Sequence, residues 1–300
     1  MNMKKVSGIV AGVALAFGIA APASAITITA GEFKITINAF DAGTVNYGDS
    51  LGVKCRTVAE CDAVPGISKA PNAFDGSEDT WGIFSVASIT NANGDYVFTA
   101  GMNGQYINGV FGGLKDYRVS VGGTIDENGD ITDYVTTTYS QGGWMNMYLN
   151  DSNYTPSQGP SARIGEKGYT GISDNGELIL SAVFSGDAAA NQPGATYTST
   201  FQNDTISGKG AGYLDVTGGN DYWTKLLNTN KMIDLNGNAH DLYLSTEFVV
   251  SNDSQQFGWT VDATGSVRGE AGEVPEPGSL ALLGLGFAGL AGLRRRRAAK

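Results

Sequence analysis

Six Asn-Gly pairs punctuate this 300-residue chain, at Asn93-Gly94, Asn103-Gly104, Asn108-Gly109, Asn128-Gly129, Asn175-Gly176 and Asn236-Gly237. Asn-Gly accepts φ > 0 at both central positions of a two-residue turn, the geometry whose twist matches two paired strands. The runs around these pairs read as strands. Phe33, Ile35 and Ile37 alternate with polar neighbours, a half-buried strand. Trp81 to Ile89 leads toward Asn93-Gly94 and Asp95 to Ala100 returns; Tyr117, Val119 and Val121 lead toward Asn128-Gly129 and Tyr134 to Tyr139 return. Further runs are Glu177 to Phe184, Ala195 to Phe201, Asp241 to Val250 and Phe257 to Val261. Helical periodicity is confined to Asp221 to Asn228, where Trp223, Leu226 and Leu227 share a face. The expectation is an all-β domain, an antiparallel β sandwich or jelly roll with hairpin turns. Long surface loops are expected over Lys54 to Asp79 and Asp151 to Gly171.

The two ends of the chain are built differently. Lys4 and Lys5 precede an uncharged run to Ala20, Pro22 interrupts it, and Ala23-Ser24-Ala25 offers small residues for a signal peptidase, so residues 1–25 read as a signal peptide cut after Ala25. At the other end, Pro275-Glu276-Pro277 is held extended by its prolines. A 14-residue uncharged run, Leu280 to Leu293, follows it. That length falls short of the roughly 20 residues of a stable membrane-spanning helix. Arg294, Arg295, Arg296 and Arg297 then hold the end in the cytoplasm by the positive-inside rule. The segment reads as a recognition motif, a short apolar helix inserted transiently in the inner membrane, and a stop. The chain thus divides into residues 1–25, a domain over 26–273 and a tail over 274–300.

The tail resembles the PEP-CTERM family of sorting signals in its Pro-Glu-Pro motif, short apolar stretch and terminal arginine cluster. The resemblance implies processing by an exosortase, a membrane-embedded cysteine protease of Gram-negative bacteria that make extracellular polysaccharide. Pro275, Glu276 and Pro277 would be its recognition motif. The domain would be exported, briefly anchored, and released to the cell surface or matrix. The run Glu78-Asp-Thr-Trp-Gly-Ile83 followed by Asn108-Gly-Val-Phe-Gly-Gly113 is also similar to a pattern in exported PEP-CTERM proteins.

Between the ends lie 12 basic and 29 acidic residues, a net charge of −17. Phosphate contacts need clustered Lys and Arg, so nucleic acid is excluded as a partner. Cys55 and Cys61, in a chain bound for an oxidising compartment, read as a disulfide closing a small loop. With one histidine, His240, they cannot complete a structural zinc site.

No catalytic constellation emerges. His240 precedes Asp241 with no nucleophile motif nearby and reads as a surface or turn histidine. Asp126, Asn128, Asp130 and Asp133 place oxygens at alternate positions as a calcium loop does, yet Ile131 stands where an EF-hand needs Gly, and the same residues make an Asn-Gly turn. Calcium is therefore a candidate ligand, and no cofactor is otherwise indicated. Tyr139, Trp144, Tyr148 and Tyr154 form an aromatic cluster that either stacks on sugars or belongs to the core. The expected function is a non-enzymatic structural or interaction role in biofilm, floc or exopolysaccharide association. The alternatives are a secreted carbohydrate-binding module, with or without calcium, and a polysaccharide hydrolase built on a carboxylate pair.

Overall fold

The computed structural model describes residues 26, 28–43, 72–74, 78–125, 127, 131–190, 192–202 and 207–273. The signal-peptide residues Ala23 and Ala25, the pair Cys55 and Cys61, and the tail from 274 onward lie outside them. In chain order the strands begin β1 (Gly31–Gly43), β2 (Thr80–Asn91), β3 (Tyr96–Thr99), β4 (Tyr106–Ile125) and β5 (Ile131–Asn150). Next come the short β6 (Arg163–Ile164) and β7 (Gly168–Tyr169), then β8 (Glu177–Ser185), β9 (Tyr197–Gln202) and β10 (Ser207–Gly219). Helix α1 (Asp221–Leu227) precedes β11 (Met232–Ile233), β12 (Ala239–His240) and β13 (Leu242–Val249), and helix α2 (Asn252–Phe257) precedes β14 (Val261–Ala271).

The expected sandwich or jelly roll gives way to a closed antiparallel barrel. Strand β1 pairs β14 on one edge and β2 on the other, so the sheet order β1-β14-β13-β10-β8-β5-β4-β2 returns to β1. Strands β8 and β9 share one lane end to end. β8 pairs β10 over Tyr213–Gly219 and β5 over Trp144–Leu149. β9 pairs β10 over Ser207–Gly212 and β5 over Val135–Ser140. Closure pairs the long strands of the ring on both sides, and among the described residues the path ends on the short β3, paired with β2 alone, which leaves little edge to template aggregation. Closure depends on which strands meet across long distances in sequence, and alternation within each strand does not carry that information.

Two devices bend the sheet into a tube. Register shifts interrupt the pairings of β1 with β2, β4 with β5, and β10 with β8, and such bulges increase local twist. Inward-facing glycines let neighbouring aromatic rings lie against the backbone. A Cβ on Gly109 would collide with the Phe84 ring, and one on Gly210 with the Tyr197 ring. The pair Asn108-Gly109 therefore sits inside β4 rather than in a turn. Of the predicted turns, Asn103-Gly104 has positive φ at both residues, 55° and 74°, and turns the chain between β3 and β4, which both pair with β2 and not with each other.

One face of each strand fills the interior. Phe33, Ile35, Ile37 and Ala39 of β1 meet Phe84, Met145, Phe184 and Leu244 in one buried cluster. Helix α1 plugs the end where β8 and β14 approach it, burying Trp223, Leu226 and Leu227 as the sequence predicts. Asn220 caps it by accepting from Trp223 N at 3.0 Å. A second cluster, Trp81, Ile83, Val110, Trp144, Tyr148, Tyr169 and Trp259, lies on the outward phase of β2, β4 and β5. The segment from Asp151 to Gly176 covers it, so this expected surface loop is a packing element. The run Phe257 to Val261 is not a strand. It spans the end of α2, whose capping box pairs Ser251 with Ser254, and the approach to β14.

Candidate functional site

Alternation along β1 carries the inward phase past Ala39 to Asp41, where the strand reaches the barrel end opposite α1. A carboxylate thus stands in a series of apolar inward positions. Around it the barrel keeps a cavity of about 90 Å³. Its apolar wall includes Ile37, Phe84, Phe111, Phe184, Phe201 and Phe248; its polar lining includes Ser199, Thr80 and Thr260. Tyr197 and Thr246 face it with their hydroxyls 2.9 Å apart. Asp41 Oδ1 has no exposed surface and no hydrogen-bond partner among the described residues. The residue keeps some accessible surface, on the cavity it lines. Burial raises its pKa to about 7, and the negative charge of Asp116 adds to the rise. Asp116 is itself held by Ser140, whose hydroxyl donates to Oδ1 at 2.6 Å. Burial also pushes the Tyr197 hydroxyl up, out of its ordinary range.

His240 is buried, not on the surface, and its two ring nitrogens lie 2.9 Å from Asp215 Oδ1 and 3.3 Å from Asp234 Oδ2. Burial pushes the pKa of Asp234 up, but donation from the Asn238 side chain and from the backbone of Asn238, Asp187 and Asn236 outweighs it, holding the carboxyl well below the usual range. Asp241, the next residue, accepts from Val216 N at 2.7 Å, Thr229 N at 2.6 Å and Asn230 N at 2.8 Å. These contacts pin the connection between α1 and β13. The arrangement is a loop anchor, with Asp234 and Asp241 committed to backbone donors and Asp215 paired with the His240 ring.

The pattern at Glu78–Ile83 and Asn108–Gly113 acquires a physical meaning. The two runs are paired strands, with Gly82 opposite Phe111, Ile83 opposite Val110 and Phe84 opposite Gly109. Glu78 accepts from Gly113 N and from both terminal nitrogens of Arg163, at 2.5 and 3.2 Å. The Arg163 guanidinium lies 4.3 Å over Trp81, and the ion pair is almost wholly buried. Trp259 donates from Nε1 to Pro156 O at 2.8 Å. The pattern is a staple that fastens the 151–176 segment to the barrel wall.

The aromatic cluster divides. Trp144 and Tyr148 are buried beneath that segment, at 6% and 8% exposure, which removes them as a sugar-stacking platform. Tyr139 and Tyr154 are half-buried. Of the calcium candidates, Asp126, Asn128 and Asp130 lie outside the described residues, as does the Asp133 side chain; among the described residues no cluster of His, Cys, Asp and Glu is arranged to hold a metal. The cavity is smaller than the ~150 Å³ that admits benzene, so a pyranose ring does not fit beside Asp41. Sequence reasoning passed over Asp41 and Arg163. Continuing the Phe33, Ile35, Ile37 phase two further steps would have found the first; nothing local marks the second.

Among the described residues no helix is long and apolar enough to cross a membrane. The sorting residues Pro275 to Pro277 and Arg294 to Arg297 lie outside the described residues, and here comparison with known proteins is informative. No match was found among curated proteins or among solved structures. Residues 273–297 match the PEP-CTERM protein-sorting motif, a span that takes in Pro275-Glu276-Pro277, the apolar run and the arginine cluster; the chain thus carries a PEP-CTERM sorting motif, which implies export and sorting by an exosortase.

Proposed function

We propose that the barrel is a non-enzymatic structural or interaction module of the cell surface or extracellular matrix, associated with exopolysaccharide in biofilm or floc. The carrying observation is the sorting motif over 273–297. The barrel supports the reading in two ways. Its wall is closed on itself, which suits a protein accumulating at high local concentration without edge-to-edge pairing. Its acidic excess keeps it soluble and repels anionic lipid once the tail is removed. A bridge between Cys55 and Cys61 would add a covalent tie to the connection between β1 and β2 in an oxidising compartment.

Removing Pro275 to Lys300 tests the reading in the producing cell. The truncated protein is expected to leave the envelope by a different route and to impair cell aggregation. Unchanged localisation and aggregation would overturn the proposal. Saturable binding to a defined oligosaccharide on a glycan array would instead favour the carbohydrate-binding alternative.

A further inference from the structure

The cavity at the barrel end joins two features seldom left together: an aromatic wall and a buried carboxylate oxygen with no partner among the described residues. Cores exclude such a group because an isolated buried charge is costly. Three observations narrow what would complete it. First, once ionised, the group lacking a partner is acceptor-only, so the missing partner of the charged form is a donor or a cation. Second, the wall is dominated by Phe84, Phe111, Phe184, Phe201 and Phe248, whose ring faces attract cations. A hard metal ion takes six or more oxygen ligands, which this lining does not supply. Third, about 90 Å³ accommodates only a few non-hydrogen atoms.

We propose that the barrel end is a binding site for a small primary alkylammonium ion, its ammonium paired with Asp41 and its short alkyl tail against the phenylalanine wall. Asp41 stands toward the mouth, opposite Val261 and Gly82 in the ladders, while Leu114 and Leu244 lie within the apolar lining. The Tyr197 and Thr246 hydroxyls are placed to orient the bound head, since each retains an acceptor lone pair beyond their mutual contact. The raised pKa of Asp41 makes the site pH-dependent. The carboxyl must be ionised to pair with the ligand, so affinity rises as pH increases through about 7.

The test is titration of the exported protein with ethylammonium at pH 8, followed by calorimetry or ligand NMR. Saturable binding is expected, weakened about tenfold or more at pH 5.5 and in Asp41→Asn, consistent with loss of a charge-assisted hydrogen bond. Ethanol and glucosamine serve as controls, the first lacking charge and the second carrying the amine on a ring too large to enter. Ala263→Leu provides a second variant that fills the cavity and leaves Asp41 in place; it too should abolish binding. Absence of ethylammonium binding, or equal binding by wild type and a folded Asp41→Asn, overturns the proposal. So does equal binding by ethanol or glucosamine.

Discussion

Two buried carboxylates show how one residue type takes opposite roles. Asp234 receives donors from four directions and is held ionised; Asp41 Oδ1 receives none among the described residues and is held toward its protonated form. Their effects on stability occupy separate pH windows. A folded pKa near 7 against 3.8 means that the folded state binds the Asp41 proton more tightly than the unfolded chain. That contribution is fully present below about pH 4 and is lost as pH rises through 7. Asp234 has the opposite sign, its contribution present above its unfolded pKa and lost in stronger acid. Asp41→Asn should therefore match wild type in melting temperature near pH 4 and exceed it at pH 8. Parallel curves for the two proteins across that range would show that Asp41 is not buried as described. Arg163 is argued from packing. Removing one partner of a buried ion pair strands the other, at about 3–5 kcal/mol. Arg163→Ala should lose that much stability in a urea titration, and Glu78→Gln with Arg163→Met should lose less. A loss under about 1 kcal/mol for the single variant would mean that the covering segment is held by other contacts.

At the scale of elements, legibility in the sequence followed hydrophobic phase. The run Phe33, Ile35, Ile37 announced β1, and Trp223, Leu226 and Leu227 announced α1, because burial on one face leaves a period of two or 3.6. Strand β10 was not found. Its Ser207-Gly-Lys-Gly-Ala-Gly-Tyr run places glycine at the inward positions, where the filling atoms are Phe201, Tyr197 and Phe184 of neighbouring strands. Apolar phase is then carried by the partner and cannot be read from β10 itself. The start of β14 was misplaced for a related reason, since Phe257 and Trp259 look like strand residues but pack against the covering segment. The glycine argument has a consequence with a distinctive sign. At an unstrained site, replacing glycine by alanine stabilises by about 0.4–1 kcal/mol through the unfolded chain. Gly210→Ala should instead destabilise by about 1–3 kcal/mol, the cost of overpacking, because the new Cβ occupies the space of the Tyr197 ring. Gly122, with open space around it, is the control. Chemical denaturation of both variants separates the two effects, and a stabilised Gly210→Ala would refute the ring-on-backbone packing.

At the scale of the whole molecule, what the sequence discloses about destination and about task is unequal. The sorting tail is contiguous, so an extended motif, an apolar run too short to span stably and a basic stop are all readable in order. The barrel cavity is assembled from residues on eight strands that lie far apart in sequence, and closure of β1 on β2 decides that Asp41 faces inward at all. Destination is therefore written locally and the candidate site is written in topology. The two should be separable by mutation. Replacing Pro275, Glu276 and Pro277 with alanine removes the extended motif and leaves the apolar run and Arg294 to Arg297 intact. Such a protein should still be exported, since residues 1–25 are unchanged, but should accumulate as an uncut membrane-held form. Intact mass of the envelope fraction is expected to show the tail retained in the variant and removed in wild type. The barrel itself should be unaffected, because its strands end at Ala271, before the motif begins; ethylammonium affinity and melting temperature of the detergent-extracted variant should match those of the processed protein. Identical masses and fractionation for the two proteins would detach Pro275-Glu276-Pro277 from processing. A changed melting temperature would instead show that the tail is coupled to the fold and is more than an address.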